Sequence, residues 1–278
     1  MQDTISSGFH LANGHGYMLN RGYTAACRLN YQYYLWKQAL QFNTHPSIPI
    51  SGDLQIADIA TGTGIWLLDL HQEFPFARLD GFDIDISNAP PPQWLPENVS
   101  IHRWSIFDTV PAHLHGKYDI IHLRLLILVV QNSDPTAIIR NVSRMLKPGG
   151  YIQWDDLNYP GTHIAKADPN MKVSAFDELR KFVYSGGRHD WVLDLPNILQ
   201  ENGFVDARLD HYCDRRELAL ANSEQHLMTM NEFADRLQKE GNITDAENIY
   251  HLIGNVLVEA EGGAGLSMPR VVVVARKE

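Results

Sequence analysis

Residues 58–64 read Asp-Ile-Ala-Thr-Gly-Thr-Gly. Gly62 and Gly64 allow a turn in which backbone comes close to a ligand, because glycine lacks a Cβ and accepts positive φ. Asp83 follows at the end of the next β-rich run, and a carboxylate there can accept both hydroxyls of a ribose. The pair points to a nucleoside-containing cofactor. A dinucleotide fingerprint needs a third glycine three residues after the second; Leu67 stands there, so a pyrophosphate has no seat. Asp58, just before the turn, suits a cofactor with an amino-acid part by attracting its ammonium group; a buried helix-capping carboxylate is the alternative. For the ribose, Asp85 is the alternative, and Asp83 is favoured by its place after Gly81-Phe82.

Other residues could act beside that turn. Arg124 follows an apolar run, and either pairs with a core carboxylate or meets the amino-acid part of the cofactor. Asp155 and Asp156 end another β-rich run, on the rim where ligands bind in α/β sheets. Asp156 is the candidate to accept a substrate proton or hydrogen-bond a nitrogen, with Trp154 as a candidate substrate wall. Tyr31, Tyr34 and Trp36 recur at helical spacing, which fits core packing or an aromatic lid over a flat apolar substrate. A cation facing such rings gains roughly 0.5–2 kcal/mol. His10, His15, His122 and His163 have no metal-ligand spacing and read as surface or packing residues, so no metal is expected. Cys27 and Cys213 read as inert thiols of a reducing compartment, too few and too far apart for a disulfide framework.

The elements that must position these groups alternate. Strands are predicted at Leu54–Ala60, Ala77–Asp85, Val99–Trp104, Tyr118–Leu123 and Tyr151–Trp154, with helices at Ile65–Glu73 and Asp134–Leu146. Ile138, Ile139, Val142, Met145 and Leu146 share one helical face, and Lys147-Pro148-Gly149-Gly150 reads as a stop and turn. Ala89-Pro90-Pro91-Pro92 must be loop, since its prolines donate no ladder bonds. This alternation predicts an α/β fold with a mostly parallel, helix-covered sheet. Phe204–Tyr212 and Arg270–Arg276 read as late strands that close the sheet antiparallel, about fifty mostly helical residues apart. An aromatic segment at 14–42, including Tyr17, predicts a helical lid within residues 1–50. The domain is expected over 51–278, with a substrate-facing insertion at 159–199 and a helix at Lys172–Val183.

Composition narrows the partners. The 278 residues are 44% hydrophobic and 20% charged, ordinary globular usage. With 23 Lys+Arg against 33 Asp+Glu, a net charge of −10 disfavours nucleic acid. The longest apolar run, Leu125–Val130, is too short to span a bilayer. A cytoplasmic protein with a small-molecule substrate is expected, and a homodimer is left open.

Four segments in order and spacing carry a resemblance: the Asp58–Gly64 turn, Gly81-Phe82-Asp83, Lys117-Tyr118-Asp119-Ile120-Ile121-His122, and Arg144 to Tyr151. They resemble the motifs of class I S-adenosylmethionine (SAM) methyltransferases. The resemblance implies a Rossmann-like, seven-stranded sheet, mostly parallel with a terminal antiparallel strand, and SAM as cofactor. Arg28-Leu29-Asn30-Tyr31-Gln32-Tyr33, Trp94 to Val99, and His122-Leu123-Arg124 are similar to the LaeA-like group of fungal secondary-metabolism methyltransferases. Tyr33 stands where that group usually has histidine, and Ala60 replaces the first fingerprint glycine. The position that faces the adenine in many members falls at Ser105 and Ile106, with Asp108 nearby.

The implied reaction is methyl transfer to an O, N or S atom of a small secondary metabolite. Alternatives are a SAM-binding protein catalysing a cyclisation or elimination, and a regulatory subunit. A nicotinamide oxidoreductase is the least favoured reading, on the glycine pattern.

Overall fold

The computed structural model describes Leu19 and residues 21–278; His10, His15 and Tyr17 lie outside the described residues. Helix α1 (Tyr23–Leu40) precedes the sheet. Then follow β1 (Gln55–Ile59), α2 (Ile65–Glu73), β2 (Arg78–Asp83), β3 (Val99–Arg103), β4 (Tyr118–Arg124), α3 (Thr136–Met145) and β5 (Leu146–Leu157). The remainder comprises β6 (His163–Lys166), α4 (Ser174–Tyr184), α5 (Leu195–Glu201), β7 (Phe204–Tyr212), α6 (Ala219–Lys239), α7 (Ile243–Glu261), β8 (Ala264–Ser267) and β9 (Arg270–Lys277).

The large sheet has the order β3-β2-β1-β4-β5-β9-β7. Strands β1 to β5 pair in parallel, and β9 lies antiparallel between β5 and β7. Its central strands are apolar on both faces because helices cover both. On one face Ile56, Ile120, Val272 and Val274 pack with Trp36 of α1 and with Trp66, Leu67 and Leu70 of α2. On the other, Ala57, Ile121, Ile152, Trp154 and Val273 pack with the predicted α3 stripe, Ile138, Ile139, Val142 and Met145.

Two local departures have physical causes. Strand β5 begins earlier and ends later than the sequence predicts, and its pairing with β4 jumps from Tyr118–Leu146 to Ile120–Tyr151. The Lys147–Gly150 turn is thus absorbed as a bulge, with Gly149 at φ 76°. The small antiparallel pair β6–β8 was not predicted. Four residues are too few to display alternation, and β8 contains Gly265, where a Cβ would sit 3.0 Å from Ala219. Among the described residues no helix is long and apolar enough to cross a membrane.

Candidate functional site

A cavity of about 350 Å³ opens at the carboxyl ends of β1, β2 and β4, where ligands of parallel α/β sheets bind. Its wall includes Asp58, Ala60, Thr61, Gly62, Asp83, Ser105 and Ile106. The turn is tied to β2 twice: Thr61 N–H donates to the Phe82 carbonyl at 3.0 Å, and Gly62 N–H to Asp83 Oδ2 at 2.9 Å. Gly62 holds φ 58°, the left-handed region that favours glycine. Ala60 holds φ 59° without being glycine. Gly64, at φ 73°, starts α2; a Cβ there would meet Ile101 at 2.7 Å. Gly64 is not on the cavity wall, so its part is to pack the turn.

Asp83 ends β2 because its own side chain turns the chain: Oδ1 accepts the Asp85 N–H at 3.1 Å. Burial raises the Asp83 pKa, against the lowering by the Asp85 and Gly62 N–H groups. Each carboxylate oxygen keeps a further lone pair, enough for the two hydroxyls of a ribose. Asp85, by contrast, is committed to Arg21 at 3.0 Å and to Ser87 N–H at 2.9 Å. Ser105 and Ile106 are held from behind by Asn141 of α3, whose amide donates to the Ile106 carbonyl at 2.7 Å and the Asp108 carbonyl at 3.0 Å. The donor set therefore fits a nucleoside with an amino-acid extension.

Asp58 belongs to a buried ionic row that the sequence did not reveal. His122 Nδ1 lies 2.7 Å from Asp58 Oδ1, and its Nε2 3.0 Å from Asp155 Oδ2. Arg124 donates to the same Asp155 oxygen from Nη2 at 2.7 Å and Nε at 3.1 Å. Burial alone would depress His122, but Asp155 and Asp58 outweigh it and hold its pKa above the ordinary value. Burial likewise opposes ionisation of Asp155, and Arg124 and His122 reverse it, leaving that carboxyl below its ordinary range. Two acids and two bases thus neutralise one another. Asp58, His122 and Arg124 all line the cavity, with the Arg124 guanidinium 4.9 Å from the Trp36 ring centroid.

Helix α1 roofs this region. Thr63 donates to Asn30 at 2.7 Å, joining the helix to the glycine turn. Tyr33, at the position where the LaeA-like group usually has histidine, donates its one phenolic proton to Asp69, with Asn43 Oδ1 beside the hydroxyl at 3.0 Å. Burial and then Asp69 raise its phenol pKa strongly, so Tyr33 is a neutral anchor between α1 and α2.

The expected site residues separate into two groups. Asp58, Ala60, Gly62, Asp83, Ser105, Ile106 and Arg124 share the cavity wall. Tyr31, Tyr34, Trp154 and Asp156 are not on it. At about 100° per residue, Arg28, Gln32 and Trp36 face the cavity while Tyr31 and Tyr34 turn away. Tyr34 is 52% exposed. Along β5 side chains alternate between sheet faces, so Gln153 and Asp155 face the ionic row and Trp154 and Asp156 the opposite core. Trp154 packs edge-on against Trp191, with centroids 5.8 Å apart, and donates to Asp156 at 3.2 Å. Asp156 also accepts from the Ile127 and Leu157 N–H groups, and burial pushes its pKa up to about 7. His122, read as a packing or surface residue, is instead a buried member of the site, stacked 4.0 Å from Trp66. No local signal marks it, because its alignment with Asp58 across β1 and β4 exists only in the folded sheet. Cys27 and Cys213 are free and exposed.

Comparison with known proteins gives the following. A methyltransferase-domain model matches residues 29–209. Methyltransferase grgD of a Penicillium species is 34% identical over 209 residues, covering 72% of this chain and 71% of that protein. N-methyltransferase verN of Clonostachys rogersoniana is 28% identical over 156 residues, 56% of this chain and 53% of that protein. The secondary metabolism regulator laeA of Coprinopsis cinerea is 26% identical over 102 residues, 37% of this chain and 24% of that protein.

Proposed function

Because the chain belongs to the methyltransferase-domain family, with the class I sheet order and LaeA-like relatives, we propose that it is a SAM-dependent methyltransferase acting on a small metabolite. One observation carries this reading. The Gly62 turn and the Asp83 carboxylate share a cavity that continues past Asp58 and Arg124 into a chamber beneath α1 and α6.

In this reading Asp83 holds the ribose, Ser105 and Ile106 border the adenine, and Asp58 and Arg124 bracket the amino-acid end. When bound, SAM supplies a methyl group activated by its sulfonium. The protein's own contribution is alignment and exclusion of water, and near-attack positioning can lower a barrier by roughly 7–11 kcal/mol. Among the described residues the cavity carboxylates are all engaged: Asp58 with His122, Asp83 with two N–H groups, Asp85 with Arg21, and Asp214 with Arg270. An acceptor that needs no prior deprotonation suits such a wall, which supports a neutral nitrogen with a free lone pair. The name of verN agrees with that choice.

Calorimetric titration with SAM, its demethylated product S-adenosylhomocysteine and NAD tests the cofactor assignment. Binding of the first two and none of NAD is expected. Asp83→Ala should weaken SAM by about 100-fold or more, from the loss of two charged hydrogen bonds worth about 1.5–3 kcal/mol each. Unchanged affinity would refute the Asp83 role.

A further inference from the structure

Opposite the glycine turn, the cavity is walled by a polar stripe of α6. Asn222, Gln225, His226 and Thr229 all line it. Their spacing of three, four and seven residues puts them on one helical face. A stripe of amides, hydroxyl and imidazole on the buried side of a helix is the reverse of ordinary patterning. Beside it Arg270, at the start of β9, is 4% exposed and lines the same cavity. Its Nη1 donates to Asp214, its Nη2 to Asn222 at 3.0 Å, and its guanidinium lies 5.1 Å from the Trp36 ring centroid. Its Nε–H is buried and has no hydrogen-bond partner among the described residues. That nitrogen has almost no exposed surface, so the donors this corner offers a ligand are the amide N–H groups of Asn222, whose Oδ1 is taken by Arg270.

The charges on this wall define the class of ligand. Arg270 is matched by Asp214, Arg28 by Glu232, and Arg124 by Asp155. Burial pushes His226 down to about 4, so it is a neutral ring near pH 7. Among the described residues no unmatched cation on this side awaits an anion. The remaining wall is apolar, with Leu128, Tyr159, Leu266 and Met268.

We infer that the α6 stripe and Arg270 form the acceptor subsite, and that it selects uncharged, carbonyl-bearing small molecules. The ligand carbonyl accepts from the Asn222 amide, Gln225 and Thr229 read its neighbouring polar group, and the apolar wall packs its ring. This rests on the methyltransferase reading for the word acceptor, though not for the existence of the subsite.

The experiment is ligand-observed NMR on the full chain, with and without S-adenosylhomocysteine. The probes are an uncharged lactam (2-piperidone), a carboxylate of like size (cyclopentanecarboxylate) and an alcohol control that lacks a carbonyl (cyclohexylmethanol). The lactam should give the strongest saturation transfer. Gln225→Leu and Thr229→Val should each weaken it by about three- to tenfold, the worth of one hydrogen bond. Both variants should leave S-adenosylhomocysteine affinity unchanged. Asn222→Leu removes the amide donor while leaving Arg270 opposite Asp214, and should lose the lactam preference. Tighter binding of the carboxylate, no lactam binding, or unaltered lactam binding in all three variants would overturn the proposal. Lactam binding that obeys the variants without any nucleoside binding would instead refute the cofactor reading and leave the subsite standing.

Discussion

Arg28 of α1 and Glu232 of α6 form an ion pair inside the molecule, with hydrogen bonds of 2.9 and 3.3 Å and both side chains almost wholly buried. The pair joins the helix that roofs the cofactor side of the cavity to the helix that walls its far side. Breaking one half leaves a buried charge unpaired, so Arg28→Met or Glu232→Leu alone should cost about 3–5 kcal/mol. The double variant should recover much of that loss. Thermal unfolding of the four proteins in a double-mutant cycle checks it; additive losses would mean that the pair does not couple the helices.

The His122 row predicts a direction with pH. Its folded pKa is raised, so the stability it contributes is fully present below the ordinary histidine value and is lost as pH rises through the folded one. The advantage of the natural protein over His122→Gln should therefore shrink as pH increases above about 6.5. Urea unfolding across that range measures the difference. An advantage that grows with pH would contradict the pairing.

Asp156 behaves oppositely to a typical salt-bridged acid. Burial lifts it from 3.8 to about 7, so folding favours its protonated form. The folded protein should lose stability as pH rises between those values, and Asp156→Asn should flatten that stretch of the profile. Because Asp156 is not on the cavity wall, kcat/KM of the folded variant should stay within about threefold of the natural enzyme. A collapse of kcat in a fully folded Asp156→Asn protein would restore it as a reacting group.

Ala60 occupies the left-handed region at φ 59°. That conformation costs a residue with a Cβ about 1–2 kcal/mol. Ala60→Gly should relieve it, less the entropy glycine adds to the unfolded chain, for a net gain of about 0.5–1 kcal/mol. The urea midpoint reads this directly. A lower midpoint would show that Ala60 contributes packing that outweighs its strain.

Much of this protein is legible in its sequence because the signals are local. The glycine turn, Asp83 two residues past Gly81, and the apolar stripe of α3 each depend on neighbours a few residues away. Alternation of strands and helices then dictates a parallel sheet, and the late strands dictate where β7 and β9 close it. What the chain order could not express was which residues distant in sequence share a face. Asp155 and Asp156 look equivalent in the sequence, yet the pleat sends one to the ionic row and the other to the core. Tyr31 and Tyr34 look like a lid until the helical angle of α1 is fixed by Arg28, Asn30 and Tyr33 anchoring to Glu232, Thr63 and Asp69. His122 gains its role only when β4 is laid beside β1 and β5. The α6 stripe becomes a wall only when α6 packs against α1 and Arg270. Such pairings are made by tertiary packing, which brings together groups that no local period relates.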